Sequence, residues 1–244
     1  MEKLDRELEK LISELAQDKQ DFLRERLNDL VNLYPFNEYE YIISSLLGFN
    51  KITLEDYYQI RNDYIARNMF LYIFEIASPR KFGEMWAQGH IREISPSFIK
   101  PIKKYDENYN GQYDLVFPNE DSLIKVEVKA SRAVDGNSEE PLFVKALSYD
   151  SDKHFWMNFQ QIKPACADVF IWVAVWRDLI KYWVLSSDEV KNNPYYSSGQ
   201  HRGNTGEGQL HIKEDNIKDF EKYSVSSDKL REATIDAYKR QMNL

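Results

Sequence analysis

The most constraining feature of this sequence is the stretch 169–176, in which every residue is apolar. A strand without a polar face is typical of the centre of a sheet that is covered on both sides. The stretch is too short to cross a bilayer, which takes about 20 apolar residues in a helix. Segment 181–185 follows across Arg177 and Asp178, and this spacing predicts a partner strand. We therefore expect a layered protein built around one buried strand.

Residues 1 to about 70 are predicted to be helical. The first apolar residues that recur at helical spacing are Leu4, Leu8, Leu11 and Leu15. A serine followed by a proline at 78–79 indicates the start of a further helix, which we expect to end at Gly89. The chain is therefore divided into an N-terminal helical region, 1–77, and a second domain, 78–244, that ends in a helix.

Strands dominate the first part of this second domain. Alternation and turn residues predict strands at 98–102, 112–117 and 123–130, ahead of the apolar strand and its partner. Segment 155–165 is predicted to be a short helix, with core positions at Phe155, Trp156, Phe159 and Ile162. A last helix is expected at about 227–242. This order indicates an α/β protein, more narrowly an α+β mixed sheet, with helices on both faces.

Two of the predicted strands carry the residues that point to chemistry. Side chains alternate between the faces of a strand, so Glu127 and Lys129 point the same way, about 7 Å apart. The residues that point the other way are apolar: Ile124, Val126, Val128 and Ala130. If the hairpin brings Asp114 opposite, one place holds two carboxylates and one ammonium. A slip of one residue in the register would turn Asp114 away.

Two carboxylates and a backbone carbonyl offer the oxygen ligands that Mg²⁺ prefers, and they leave positions for water and a phosphate oxygen. The carbonyl candidate is Val128. Bound Mg²⁺ neutralises charge that develops during phosphodiester hydrolysis, and Lys129 can position or activate the attacking water. The alternative is structural, because Lys125, Glu127 and Lys129 can equally form a solvated strand face with cross-strand ion pairs.

Asp114 together with the tripeptide 127–129, Glu-Val-Lys, resembles the active site of the PD-(D/E)XK nuclease superfamily, and within it that of type II restriction endonucleases. The resemblance covers roughly residues 79–185. The chain departs from the signature at Tyr113, where proline is usual. The resemblance implies a restriction-endonuclease-like core in 78–244, with a central mixed sheet flanked by helices.

The resemblance also implies an activity, the hydrolysis of double-stranded DNA at a specific sequence. Asp114 and Glu127 would hold Mg²⁺ with the backbone carbonyl of Val128, Mn²⁺ would substitute for it, and Lys129 would activate water. Family members often add a glutamate from the helix before the first strand. Glu84 is the first candidate for this residue and Glu75 the second.

Partners follow from the same resemblance. A palindromic site calls for a C2 homodimer that places two active sites on opposite strands. The N-terminal helical region would serve either dimerisation or the clamping of DNA. A restriction function also implies a cognate DNA methyltransferase in the same system.

Two groups of polar residues are candidates for DNA contact. The group near the motif comprises Ser131, Arg132, Gln160 and Lys163, the last two on the predicted helix 155–165. The second group lies in a long, glycine-punctuated loop and comprises Gln200, His201, Arg202 and Asn204. The alternatives are a surface arginine at Arg132, a solvated face for the predicted helix and a disordered surface loop for the second group.

The composition restricts the class of protein. A net charge of −8 argues against a non-specific nucleic-acid coat protein, but acids that bind metal count against that total in a DNA enzyme. The single cysteine, Cys166, excludes an internal disulfide and a cysteine zinc site. The charged segment 1–5 has no signal-peptide core, so we expect a cytoplasmic protein without membrane association.

Two rival hypotheses are kept beside the restriction endonuclease. The first is another nuclease of the same fold, such as a repair nuclease or a junction resolvase. The second is a non-catalytic module that binds nucleic acid. The complete set of two acids and a lysine argues against the second.

Overall fold

The computed structural model describes residues 2–29, 35–119, 122–199 and 207–242. Its α-helices are α1 (Glu2–Ser13), α2 (Gln17–Asp29), α3 (Pro35–Gly48), α4 (Leu54–Arg67), α5 (Leu71–Phe74), α6 (Gln88–Ile94), α7 (Ser187–Lys191) and α8 (Leu230–Met242). A π-helical segment, Lys81–Ala87, leads into α6, and 3₁₀ helices occupy Pro164–Cys166, Ile217–Tyr223 and Ser227–Lys229. Its strands are β1 (Leu115–Asn119), β2 (Ser122–Arg132), β3 (Val134–Asp135), β4 (Phe155–Ile162), β5 (Val169–Val175), β6 (Ile180–Ser186), β7 (Tyr196–Ser198), β8 (Gly208–Lys213) and β9 (Ser224–Val225). Within these ranges, no helix is long and apolar enough to cross a membrane.

A five-stranded mixed sheet forms the centre of the described part of the chain, in the order β1-β2-β5-β6-β9. Strands β2 and β5 are parallel, whereas the other neighbours in this sheet pair antiparallel. Every residue of β5 is buried, which confirms the buried central strand predicted at 169–176. The fold class is α+β with a mixed sheet, as predicted.

The two faces of this sheet are covered differently. One face packs against the π-helical segment, α5, α6 and α8, through residues that include Ile91 and Leu230. The other face packs against a second, four-stranded sheet in the order β3-β4-β8-β7, through residues that include Met157 and Leu210. Val190 of α7 and Phe220 of the 3₁₀ helix Ile217–Tyr223 also pack on this second face, so helical segments lie on both faces as predicted. The second sheet was not predicted, and β4 and β8 cover the central sheet with an apolar face of their own.

The segment predicted as a helix at 155–165 is strand β4, so that prediction is wrong. Met157 and Phe159 are buried on the same face of the strand, two residues apart. If this alternation continued, Ile162 would lie on the opposite face. The register of β4 against β8 shifts between Phe159 and Ile162, and Gln161 has a positive φ of 54°. This bulge adds one residue and returns Ile162 to the core. The resulting spacing of buried residues resembles that of a helix in the sequence.

Three other predicted elements differ in extent. The helix predicted to end at Gly89 continues through it to Ile94, because burial of Ile91 outweighs the cost of about 1 kcal/mol for an internal glycine. The strand predicted at 98–102 is reduced to one bridge between Ile99 and Val116. The last predicted helix is confirmed as α8, which the 3₁₀ helix Ser227–Lys229 precedes.

Helices α1 to α4 enclose an apolar core of their own, in which Leu4 and Leu8 are buried as their spacing predicts. Helix α5 instead belongs to the core of the central sheet. The junction includes Arg177, whose Nε donates to Asn68 Oδ1 at 2.8 Å and whose carbonyl accepts from Phe70 N at 2.8 Å. The buried guanidinium therefore joins the end of α4 to the end of β5.

Candidate active site

The antiparallel pairing of β1 with β2 brings Asp114 and Glu127 together. The register pairs Leu115 with Val126, and this is the last pair of the ladder before Asp114. Asp114 N also donates to Val126 O at 3.1 Å, so Asp114 lies beside Val126 as an extra residue at the end of the ladder, and its carboxyl is close enough to Glu127 for that negative charge to act on it. The register that the sequence left open is therefore the one in which the two carboxylates converge.

Two hydrogen bonds hold the carboxylate of Asp114. Oδ1 accepts from Gln88 Nε2 at 2.7 Å, and Oδ2 accepts from the backbone N of Val128 at 2.9 Å. Asp114 lies directly before β1, where the backbone pairing with β2 ends. Its side-chain oxygen, in place of a backbone carbonyl, therefore accepts the hydrogen bond from the amide of Val128. Both donors are uncharged, and they orient the carboxylate without neutralising it.

Glu127 forms an ion pair with Lys129, whose Nζ lies 2.7 Å from Oε1. The side chains of Glu127 and Lys129 are only 10% and 16% exposed. Lys125, on the same face two residues earlier, is 40% exposed and pairs with Asp106 at 2.9 Å. The alternative of a solvated strand face therefore describes Lys125, whereas the side chains of Glu127 and Lys129 are largely buried.

The electrostatics of the pair favour a cation. Burial, and secondly the negative charge of Glu127, raise the pKa of Asp114 to about 7. The amide of Val128 and the ammonium of Lys129 act in the opposite direction. Asp114 therefore retains a proton near neutral pH beside the Glu127–Lys129 pair, and a bound cation would favour the loss of that proton.

The donor set fits a hard divalent cation. Mg²⁺ is commonly bound through one or two carboxylates, with water completing its octahedron, and Asp114 and Glu127 supply two carboxylates. In the part of the chain that the structure describes, no group of three or more His, Cys, Asp and Glu side chains could hold a metal ion. A metal at this place would therefore depend on two carboxylates and a backbone oxygen, for which Val128 remains the predicted residue.

The helical residue that contacts the pair is Gln88, the first residue of α6. Glu84, the predicted helix carboxylate, lies four residues earlier, pairs with Arg80 at 2.7 Å and is 56% exposed. Glu75, the second candidate, is exposed at the end of α5. The catalytic role of Glu84 stays a prediction. The sequence analysis did not identify Gln88, and the signal that could have indicated it is its position four residues after Glu84, about one helical turn.

The carboxylate pair lines a cleft of about 930 Å³ between β2, β4 and the helical segment before β1. Among the described residues, the cleft is lined by equal numbers of basic and acidic side chains. The cations are Arg80, Lys129, Arg132 and Lys163, and the anions are Glu84, Asp114, Glu127 and Glu207. A bound divalent cation would make the cleft positive, which suits a polyanionic ligand.

Arg132, a predicted phosphate ligand, lines the cleft but also has protein partners. Its Nη1 donates to Ile73 O at 3.2 Å and to Ile76 O at 2.8 Å, and the guanidinium lies over the ring of Phe82. Burial lowers the pKa of Arg132 to about 10. Arg132 therefore holds the turn between α5 and the π-helical segment, and its contact with phosphate stays a prediction.

The other predicted DNA contacts are divided between the interior and the surface. Ser131 is buried, and its Oγ accepts from Asn158 N at 2.9 Å. Gln160 is exposed on β4, and Lys163, just after β4, pairs with Glu207 at 2.8 Å. These residues line the cleft from a strand and the loop that follows it, not from a helix. The loop candidates lie outside the described residues: Gln200, His201, Arg202 and Asn204.

Trp156 departs from its predicted place in the core. Phe159 and Ile162 are buried as predicted, whereas Trp156 is 37% exposed and lines the cleft. In a strand Trp156 must face away from buried Met157, so the incorrect helix assignment concealed it.

No protein-family model, no curated protein and no solved structure matches this chain. Its function must therefore be inferred from the geometry of the site. The two interacting carboxyl groups, the buried ion pair and the cleft are the features that carry this inference.

Proposed function

We propose that this protein is a Mg²⁺-dependent endonuclease that hydrolyses phosphodiester bonds of double-stranded DNA at a specific sequence, in the manner of type II restriction endonucleases. The observation that carries the proposal is the convergence of Asp114, Glu127 and Lys129. The carboxyl groups of Asp114 and Glu127 interact with each other, and Lys129 Nζ lies 2.7 Å from Glu127 Oε1.

The proposed fold is that of the PD-(D/E)XK nucleases. A helical segment before β1, the hairpin of β1 and β2, and the parallel partner β5 support it. The connection from β2 to β5 departs from the expected pattern, because it contains strand β4 in place of the predicted helix.

Asp114 and Glu127 would hold Mg²⁺ with the carbonyl of Val128, and Mn²⁺ would substitute for it. When bound, the ion supplies positive charge against the negative charge that develops on the phosphate. Gln88 keeps the Asp114 carboxylate in one orientation through its 2.7 Å hydrogen bond.

Lys129 is the residue that acts on the attacking water. Its ammonium carries three N–H donors, of which one is directed to Glu127. The others can orient the water toward phosphorus and bind a non-bridging phosphate oxygen. Because the charge on that oxygen grows in the transition state, a donor fixed in advance lowers the barrier.

A restriction function would involve further partners. A palindromic site would be cut by a C2 homodimer, and α1 to α4 are the candidates for either the dimer contact or a clamp on DNA. A DNA methyltransferase encoded beside the nuclease gene would support restriction over repair.

Cleavage of supercoiled plasmid DNA tests the proposal. The wild type is expected to produce discrete fragments with Mg²⁺ or Mn²⁺ and no product in EDTA. Asp114→Asn and Lys129→Met are expected to slow cleavage about 10²–10⁴-fold, the usual effect of losing a group that positions or activates the nucleophile. Lys125→Met is the matched control, since it removes the same charge from the same strand where Lys125 pairs with Asp106.

The possible outcomes separate the rivals. Full activity of Asp114→Asn or Lys129→Met, with circular dichroism unchanged, contradicts the assignment. Nicking of branched or damaged DNA without discrete fragments favours a repair or junction-resolving nuclease. DNA binding that persists in EDTA, without cleavage in either metal, favours a non-catalytic module.

A further inference from the structure

Trp156 is an aromatic residue of β4 that lines the same cleft as the carboxylate pair. Its side chain is 37% exposed, whereas Trp172, Trp176 and Trp183 are fully buried. Indole is among the largest apolar surfaces in a protein, and its exposure inside a concave site indicates contact with a ligand.

Neighbouring residues hold this indole in place. The ring of His211, on β8, lies 5.2 Å from it at an angle of 46°. Gly136 approaches Trp156 so closely that a Cβ there would lie 3.2 Å from Trp156 Cβ. A large side chain that is already held and still exposed loses little conformational entropy when it binds.

Asn158 lies two residues further along β4 and lines the same cleft. Its backbone N donates to Ser131 Oγ at 2.9 Å, and Ser131 lies about 7 Å along β2 from Lys129. Its Oδ1 is buried and has no hydrogen-bond partner among the described residues. Since a buried acceptor without a donor is costly, a ligand that brings an N–H group would satisfy it.

We propose that Trp156 and Asn158 bind one unpaired nucleobase next to the scissile phosphate. The indole stacks on the face of the base, and Asn158 Oδ1 accepts a hydrogen bond from the exocyclic amine of adenine or cytosine. This inference rests on the proposed nuclease function, and it specifies the form of DNA that the nuclease binds. The substrate is double-stranded DNA in which one nucleotide at the cut has flipped out of the duplex.

The requirement for an unpaired base follows from the geometry of DNA. Inside a duplex, both faces of each base are covered by its stacked neighbours, so an indole can stack only on a base that has left the helix. Gln160 is exposed on the same side of β4, and it is placed to contact a neighbouring nucleotide.

Binding in EDTA tests this site without cleavage. The probes are short synthetic duplexes, one fully paired and the others with a single unpaired adenine, cytosine or thymine. The wild type is expected to bind the duplexes with unpaired adenine or cytosine about tenfold more tightly than the paired duplex, as measured by fluorescence anisotropy of labelled DNA. Binding should also quench the tryptophan fluorescence that Trp156→Phe removes.

Three variants and one control identify the residues involved. Trp156→Ala is expected to abolish the preference for an unpaired base, and Trp156→Phe to keep most of it, because phenylalanine also stacks. Asn158→Ala is expected to weaken binding of unpaired adenine and cytosine but not of thymine. Tyr72→Ala, which removes an aromatic side chain that is 53% exposed on α5 and does not line the cleft, should change none of these affinities.

Equal affinity of the wild type for paired and unpaired duplexes overturns the inference, and so does an unchanged preference in Trp156→Ala. Equal weakening of all probes by both Trp156 variants indicates a scaffolding role and also overturns it. Plasmid cleavage without a preference for unpaired bases removes this inference alone. A Trp156-dependent preference without cleavage in Mg²⁺ or Mn²⁺ leaves the base site standing and removes the nuclease.

Discussion

Gln88 Nε2 lies 2.7 Å from Asp114 Oδ1, and this hydrogen bond joins the first residue of α6 to the start of β1. Asp114 Oδ2 accepts from the backbone of Val128, so the protein orients both oxygens of the carboxylate. The position of the proposed metal ligand therefore depends on the helix as well as on the sheet.

Replacing Gln88 is expected to slow DNA cleavage. A hydrogen bond to a charged group is worth about 1.5–3 kcal/mol, so Gln88→Ala should reduce the single-turnover rate by about tenfold or more. The lower rate should appear in kcat and not in KM, because Gln88 orients Asp114, which is proposed to hold the catalytic metal. Glu84→Ala provides the comparison from the same helical segment, where the carboxylate pairs with Arg80. A larger loss in Glu84→Ala would make Glu84 the functional helix residue.

Asp114 should give the metal-free protein an unusual dependence of stability on pH. Its pKa is about 7 in the folded protein, against an ordinary value of 3.8. A carboxyl whose pKa is raised by folding stabilises the fold fully below the unfolded pKa, and this contribution is lost as pH rises through 7. Asp114→Asn is therefore expected to unfold at higher urea than wild type at pH 8 in EDTA, by about 1–2 kcal/mol. The difference should vanish near pH 4.

Asp106 supplies a control of opposite sign. Its hydrogen bonds from Lys125 and then Tyr113 lower the pKa of Asp106, so its contribution is present at neutral pH and lost as pH falls. Asp106→Asn should therefore destabilise the protein at pH 8. Added Mg²⁺ should stabilise the wild type and leave Asp114→Asn unchanged. A wild type that is already as stable as Asp114→Asn at pH 8 in EDTA would contradict the electrostatic account.

The bulge in β4 makes a prediction about backbone conformation. Gln161 has a φ of 54°, a left-handed conformation that costs a residue with a Cβ about 1–2 kcal/mol. Gln161→Gly is thus expected to be more stable than Gln161→Ala by about 1 kcal/mol in urea unfolding. At Gln160, which lacks a positive φ, the order should reverse because glycine is less favourable than alanine within a strand. The same order at both positions would argue against the bulge.

The site was predictable where strand alternation alone decides the geometry. Glu127 and Lys129 share a face in any regular strand. The place of Asp114 was less predictable, because it is an extra residue beside Val126 at the end of the ladder. Gln88 was not predictable in this way, because the residues before it form the π-helical segment Lys81–Ala87. A π-helical turn contains more residues than an α-helical turn, so regular helical spacing does not give the directions in which Glu84 and Gln88 point.

The central sheet was easier to predict than the second sheet. Strand β5 is apolar along its whole length, and burial on both faces explains this pattern. Strands β3 and β7 have two and three residues, which is too short to show alternation. In β4 the bulge at Gln161 changed a period of two into an apparent helical period.

Strand β4 lies inside the connection that leads from β2 to its parallel partner β5. One stretch of chain thus closes the central sheet and also provides a wall of the cleft. Inserting or deleting a residue before the bulge would turn every later side chain of β4 to the opposite face and alter the crossover as well. Exchanges at Trp156, Asn158 or Gln160 leave both intact. The binding preference of this cleft can therefore be changed by substituting single side chains on β4, while the length of the strand stays constant.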